Sequence, residues 1–155
     1  MIQKKDLQII SNLRANSRQT LTDMSKKTRI PISTIYDRLK VNEGNLIKRH
    51  TCLLDFNKIG FTTRAKVLIK VDRTVREDVK EYLMKHRNIN SLVKINNNYD
   101  FLFEAVFKQI KELEEFLEQL EEKFKIRSKQ VYYIIEDVKR ESFLSEPEML
   151  DVLGF

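Results

Sequence analysis

The apolar residues of this chain change their spacing partway along, and no single repeating architecture accommodates both spacings. In the amino-terminal part Leu7, Ile10 and Leu13 recur at three-residue steps among polar neighbours, with Ile9 beside them, which is the period of an amphipathic helix. A helix is therefore predicted from about Lys4 to Arg14. Asn16-Ser17-Arg18-Gln19 breaks it, and Leu21 and Met24 give a second helix of about two turns ending near Thr28. In Arg29-Ile30-Pro31-Ile32-Ser33 the proline suits a first helical turn and Ser33 is a candidate cap. A third helix then runs to about Asn42, with Ile35 and Leu39 facing inward. Three short helices with a tight turn before the last make a helix-turn-helix, or, without a ligand, a plain three-helix packing unit.

After an extended connector the period falls to two. Arg64 to Val71 sets Ala65, Val67, Ile69 and Val71 against Lys66, Leu68 and Lys70, as a strand does. A helix is predicted from about Val75 to His86. Strands follow from Ser91 to Ile95 and Tyr99 to Phe107, joined by the Asn96-Asn97-Asn98 turn. Leu113, Phe116, Leu117, Leu120 and Phe124 stripe the next helix opposite a glutamate-rich face, read as solvated, and a last strand is predicted from Val131 to Asp137. The order βαββαβ is that of a ferredoxin-like antiparallel sheet with both helices on one face. The expected class is α+β, a (winged) helix-turn-helix domain over residues 1–47, a connector over 48–61, a ferredoxin-like domain over 62–144 and a tail over 145–155.

The uncovered sheet face carries its own implication. Phe101, Phe103, Ala105 and Phe107 alternate with Leu102 and Val106, and Val131, Tyr133 and Ile135 with Tyr132 and Ile134. Neither side is polar enough to face water, so a second copy of the chain is the simplest cover.

Charge is distributed as unevenly as period. Of 29 Lys+Arg and 23 Asp+Glu, residues 1–60 hold 12 basic and 5 acidic, so the whole basic excess lies in the first two fifths. Such asymmetry suggests a polyanion partner for the amino-terminal part, or a merely solvated basic surface. One cysteine, Cys52, excludes an internal disulfide, and with only His50 and His86 beside it no zinc-ligand spacing exists. No metal, cofactor or catalytic set is expected, and no phosphate-binding glycine loop or nucleophile elbow is present. No apolar run is long enough for a membrane span, and a cytoplasmic location is expected.

Several runs carry a resemblance. Asp6 to Arg18, Leu21 to Ser25, Ser33-Thr34-Ile35-Tyr36-Asp37-Arg38-Leu39-Lys40, Leu46-Ile47-Lys48-Arg49 and Leu54-Asp55-Phe56-Asn57-Lys58-Ile59-Gly60-Phe61 together resemble the Lrp/AsnC family of transcriptional regulators, in the family's order over about 60 residues. Two departures stand out. Arg29 occupies the place of the family's glycine before the recognition helix, which suits an arginine only if no positive φ is required. The family's Leu-Glu-x-x-Gly helix end reads Val41-Asn42-Glu43-Gly44-Asn45 here, one residue shorter, which changes the wing.

The resemblance implies a DNA-binding regulator working as a homodimer or as a tetramer or octamer. Arg18, Lys26, Lys27, Arg29, Arg38 and Lys40 are the expected phosphate neutralisers, and Ser33, Thr34 and Tyr36 the expected base or phosphate contacts. Asp37 either accepts from a cytosine amino group or, the favoured reading, pairs with Arg38 or Lys40. Arg38 also has a possible structural role in the family. The family's Thr-Gly-x-Tyr-Asp turn, which helps form an amino-acid effector pocket, aligns with Asn96, Asn97, Asn98, Tyr99 and Asp100, where Asn97 replaces glycine and its side chain would occupy ligand space. The plainer reading is an Asn-rich hairpin turn. Two other classes remain in view: a sirohaem-decarboxylase-like enzyme on the same fold, for which His50 and His86 are the available imidazoles, and a low-specificity DNA organiser.

Overall fold

The computed structural model describes residues 2–154. The chain divides into two compact units, one made of the residues up to Leu53 together with those from Val138 onward, the other of Leu54–Asp137.

The first unit contains α1 (Lys4–Ala15), α2 (Leu21–Thr28) and α3 (Ile32–Asn42). Its core cluster takes Ile9 from α1: Ile9, Met24, Ile30 and Ile35 are buried, with Leu13, Leu21 and Leu39 packed around them, while Leu7 and Ile10 are buried outside that cluster. After α3 the chain turns at Gly44 (φ 75°) and closes with Gly44 N–H to Ile47 O at 2.9 Å and Ile47 N–H to Asn42 O at 2.9 Å. The wing is thus one bridge, Glu43 to Ile47, rather than a hairpin. The carboxy-terminal segment, read from sequence as the end of the sheet domain plus a separate tail, belongs here. Leu150 is buried, Lys4 pairs with Asp151, and the Arg14 guanidinium donates to Phe143 O and Glu141 O. These contacts cross more than a hundred residues of sequence, so no local pattern announces them.

The second unit opens with a 3-10 turn, Phe56–Ile59, in place of part of the expected extended connector. It continues with β1 (Thr63–Val71), a 3-10 turn (Arg73–Val75), α4 (Arg76–Lys85), β2 (Ile89–Lys94), β3 (Phe101–Phe107), α5 (Ile110–Lys123) and β4 (Ile126–Tyr133). The sheet is antiparallel throughout in the order β2-β3-β1-β4. Ala65, Val67, Ile69 and Val71 of β1 and Phe101, Phe103, Ala105 and Phe107 of β3 are all buried against Val79, Leu83, Leu113, Phe116, Leu117 and Leu120 of the two helices.

β4 corrects the expectation of a strand from Val131 to Asp137. It begins at Ile126 because β1 supplies the ladder for Arg127 to Gln130, polar residues that edge position tolerates. The chain leaves the sheet after Tyr133, and Ile135, expected on the strand, is 97% exposed. The sheet face away from the helices carries Leu68, Val93, Leu102 and Tyr132 among charged neighbours, with Val93 and Tyr132 largely exposed. Among the described residues no helix is long and apolar enough to cross a membrane.

Candidate nucleic-acid interface and effector cavity

One local bond fixes the start of α2 and two hold the turn between it and α3. Thr20 caps α2, its hydroxyl accepting from the Asp23 N–H at 3.0 Å. The Arg29 N–H closes the other end on Ser25 O at 2.8 Å, and the Ser25 hydroxyl donates to Ile30 O at 2.6 Å. Arg29 has φ 58°, so this turn does require the left-handed region and an arginine fills the place usually given to glycine. The condition under which an arginine suits this place, the absence of a positive φ, is not met. Ser33 is also not a cap: Pro31 precedes the helix, its carbonyl accepting the Ile35 N–H at 3.0 Å, and Ser33 lies within the first turn.

The residues expected to meet DNA separate into groups. Ser33, Tyr36, Asp37 and Lys40 are exposed and share one stripe of α3 by their spacing, Tyr36 being 56% exposed. Thr34 is half-buried. Arg18, Lys26, Lys27 and Arg29 are exposed on the segments leading to α3. Arg38 is turned the other way: it pairs with Asp6 at 3.4 Å and donates to Gln3 Oε1 at 2.5 Å. Asp6, 3% exposed, accepts further from the Gln3 N–H at 2.8 Å and from Asn42 Nδ2 at 3.1 Å. A buried carboxylate is tolerated because cation and donors surround it. Arg38 therefore ties α3 to α1, as its structural reading anticipated. Asp37, expected to pair with Arg38 or Lys40, makes no ion pair among the described residues. Sequence reasoning missed Gln3 and Asn42; the one available signal was the four-residue spacing of Arg38 and Asn42, which puts both on one side of the helix.

A cavity of about 290 Å³ lies at one edge of the second unit. Of the expected effector residues Asn98, Tyr99 and Asp100 line it, whereas Asn96 and Asn97 do not. Asn97 (φ 63°) and Asn98 (φ 71°) take the left-handed turn that their side chains tolerate, and Asn97 is exposed rather than filling the cavity. Asp100 accepts from the Val71 N–H at 2.9 Å and pairs with Arg76 at the start of α4. The remaining walls were not foreseen: Lys70, Arg73, Arg76 and Arg127 come from β1, the following turn, α4 and β4. Arg127 pairs at 2.6 Å with Asp72, and this contact, with bonds from Thr74, holds the Asp72 carboxyl far below the usual range.

The two histidines belong to different units. His50 is exposed, 3.7 Å from Glu43. The His86 ring packs 4.5 Å from that of Phe116, its Nδ1 accepting from the Asn88 N–H at 3.3 Å, and burial lowers its pKa, with Arg87 adding to the effect.

Comparison with known proteins bears on both units. Residues 64–144 match the family profile of the Lrp/AsnC ligand binding domain. The chain is 30% identical over 114 residues to the HTH-type transcriptional regulator FL11 of Pyrococcus horikoshii, covering 73% of this chain and 76% of that protein. It is 24% identical over 148 residues to an uncharacterised HTH-type transcriptional regulator of Pyrococcus abyssi, covering 95% of this chain and all of the other. Among solved structures, a transcriptional regulator of Neisseria meningitidis in complex with L-Met has the same fold, with TM-score 0.82, 19% identity and coverage of 90% and 94%. LrpC of B. subtilis gives 0.79, 20% identity and coverage of 90% and 97%. A helix-turn-helix unit, a ferredoxin-like sheet matching that ligand-binding domain and regulators as relatives lead to one conclusion: this chain belongs to the Lrp/AsnC family of transcriptional regulators.

Proposed function

We propose that the chain binds DNA sequence-specifically, as a dimer or larger even oligomer, with α3 as the reading element. The supporting observation is the exposed stripe Ser33, Tyr36, Asp37 and Lys40, flanked by Arg18, Lys26, Lys27 and Arg29. An 11-residue helix is about 16 Å long at 1.5 Å per residue, a length that enters a major groove end-on. The flanking cations neutralise phosphates and the stripe meets base edges, so affinity and specificity come from different side chains. Arg38 is kept among the DNA-binding residues in a positioning capacity, since it fixes α3 against α1.

The open sheet face, with Leu68, Val93, Leu102 and Tyr132, supports self-association, which brings two reading helices to one site. The cavity beside Asn98, Tyr99 and Asp100 supports a small-molecule effector. An amino acid is the class implied by the family resemblance and by the L-Met complex of the Neisseria relative. The regulator reading, rather than an enzyme on the same fold, is supported by the relatives, which are HTH-type transcriptional regulators.

Selection of bound duplexes from a random DNA library at near-physiological salt tests this reading. The expected result is an enriched palindrome-like motif with half-sites about 10 base pairs apart, or a multiple. Uniform binding of every duplex would replace sequence-specific regulation by non-selective DNA organisation, and absence of binding would remove DNA as the partner.

A further inference from the structure

The charge balance of the cavity says more about its ligand than its position does. Four cationic side chains line it, Lys70, Arg73, Arg76 and Arg127, against one carboxylate, Asp100. That carboxylate is committed to Arg76 and to the Val71 N–H. Asp72, at the rim of the same segment, is committed to Arg127 and to the N–H and hydroxyl of Thr74, at 3.1 and 2.8 Å. Two cations are thus answered, and two are not: Lys70 and Arg73 make no ion pair among the described residues. Arg76 adds an unmet donor, its Nε being buried with no acceptor. Buried donors without partners are rare, and this one leaves the Arg76 guanidinium incompletely answered by Asp100.

A zwitterionic α-amino acid fits this balance poorly. It brings one carboxylate for two open cations, and its ammonium must share Asp100 or Asp72 with the cations and the backbone or hydroxyl donors they already serve. Placed elsewhere in the cavity it would face Lys70 or Arg73 with like charge. A ligand with two anionic groups instead answers both open cations, and charge-assisted bonds to guanidinium and ammonium groups are the stronger kind. At about 290 Å³ the cavity lies at the lower end of the range of small-molecule sites, roughly 300–1,000 Å³, which favours a compact metabolite over a polymer.

We propose that the cavity at Lys70, Arg73, Arg76 and Arg127 binds a small dianion, either a dicarboxylate or a phosphorylated metabolite, as the effector of this protein. This rests on the reading of the second unit as an effector domain and replaces, for this chain's cavity, the amino-acid class implied by the resemblance with a dianion. Lys70 and Arg73 take the anionic groups, and Asp100 and Asp72 hold the Arg76 and Arg127 guanidinium planes in place rather than touching ligand.

Calorimetric titration of the full chain at roughly physiological salt tests the proposal, with succinate, 2-oxoglutarate, glycerol phosphate, inorganic phosphate and L-methionine as probes. A dianion is expected to bind at least about tenfold more tightly than L-methionine, the difference one charge-assisted contact makes. Whether the carboxylate or phosphate probes bind distinguishes the two sources. Lys70→Gln and Arg73→Gln, neither of which breaks an ion pair, should each weaken the dianion about tenfold while leaving thermal stability unchanged. L-methionine binding more tightly than every dianion, no dianion binding, or dianion binding unchanged in both variants would each overturn the proposal. DNA selection on the same preparation keeps the two readings apart, since loss of anion binding with an enriched motif defeats only this inference, and anion binding without DNA binding defeats only the regulator.

Discussion

The two units of this protein solve the problem of burial differently. The sheet unit is held by an apolar layer in which Phe103, Ile69, Leu83, Leu113 and Leu117 are almost wholly inaccessible. The helical unit has only Ile9, Met24, Ile30 and Ile35 in its buried cluster. It compensates with specific polar ties: the Asp6, Gln3, Arg38 and Asn42 network between α1 and α3, and the carboxy-terminal segment fastened by Leu150 and Arg14. A small core is poor in burial energy, so directed contacts contribute proportionately more. The same ties decide which α3 side chains stay exposed, the stripe proposed to meet DNA.

The sharpest way to break the contrast is Phe103→Ala, which opens a cavity under both helices of the sheet unit. A loss of about 3–5 kcal/mol in a urea titration is expected, with hydrogen-exchange protection falling first in β1 and β3. A loss under about 1 kcal/mol would mean that the apolar layer is not what holds this unit.

Arg38→Ala and Lys40→Ala separate structure from recognition within one helix. Removing Arg38 strips a buried carboxylate of its cation, at a cost of about 1–3 kcal/mol, while removing exposed Lys40 should leave stability within about 0.5 kcal/mol. Lys40→Ala should instead lower the salt slope of DNA binding by about one. Equal stability losses in the two variants would erase the proposed division of labour.

Arg29→Gly tests the strained turn. Glycine pays no Cβ penalty at φ 58°, so the unfolding midpoint should rise by an amount worth about 1 kcal/mol, and DNA affinity should fall through the lost cation. A destabilised variant would show that the arginine side chain holds the turn.

The smallest expected effect is a pH slope from His86. Burial lowers its folded pKa below the ordinary value of about 6.5, so the unfolded chain binds the proton more readily. Its stability contribution is present above about pH 6.5 and is lost as pH falls through the folded pKa. Urea midpoints compared at about pH 7.5 and 5.5 should drop slightly at the lower pH, and His86→Phe should flatten that part of the profile. An unchanged slope in the variant would assign it to other groups.

Much of the architecture was readable along the chain because helix and strand periods are local properties. The spacing of Leu7, Ile10 and Leu13 announced α1 within a residue of its ends, and the alternation of Ala65, Val67, Ile69 and Val71 announced the inner face of β1. The glutamate-backed stripe of α5 was equally plain. β4 was misplaced because its first half is polar, and only pairing with β1 makes Arg127 to Gln130 a strand. At the candidate DNA interface, residue types and charge asymmetry were legible, but the commitment of Arg38 to Asp6 was not, since the two lie 32 residues apart.

By itself, then, the amino-acid sequence determined the elements, their order, the basic amino-terminal surface and the family pattern, all of which depend on neighbours within a turn or a few strand residues. Tertiary structure decided where β4 begins, that Arg29 adopts a left-handed conformation, that the carboxy-terminal segment joins the helical unit through α1, and that Lys70, Arg73, Arg76 and Arg127 meet around one cavity. The physical reason is common to these cases: hydrogen-bond partners, buried charges and cavity walls are recruited from residues far apart in the chain, and only folding brings them within reach.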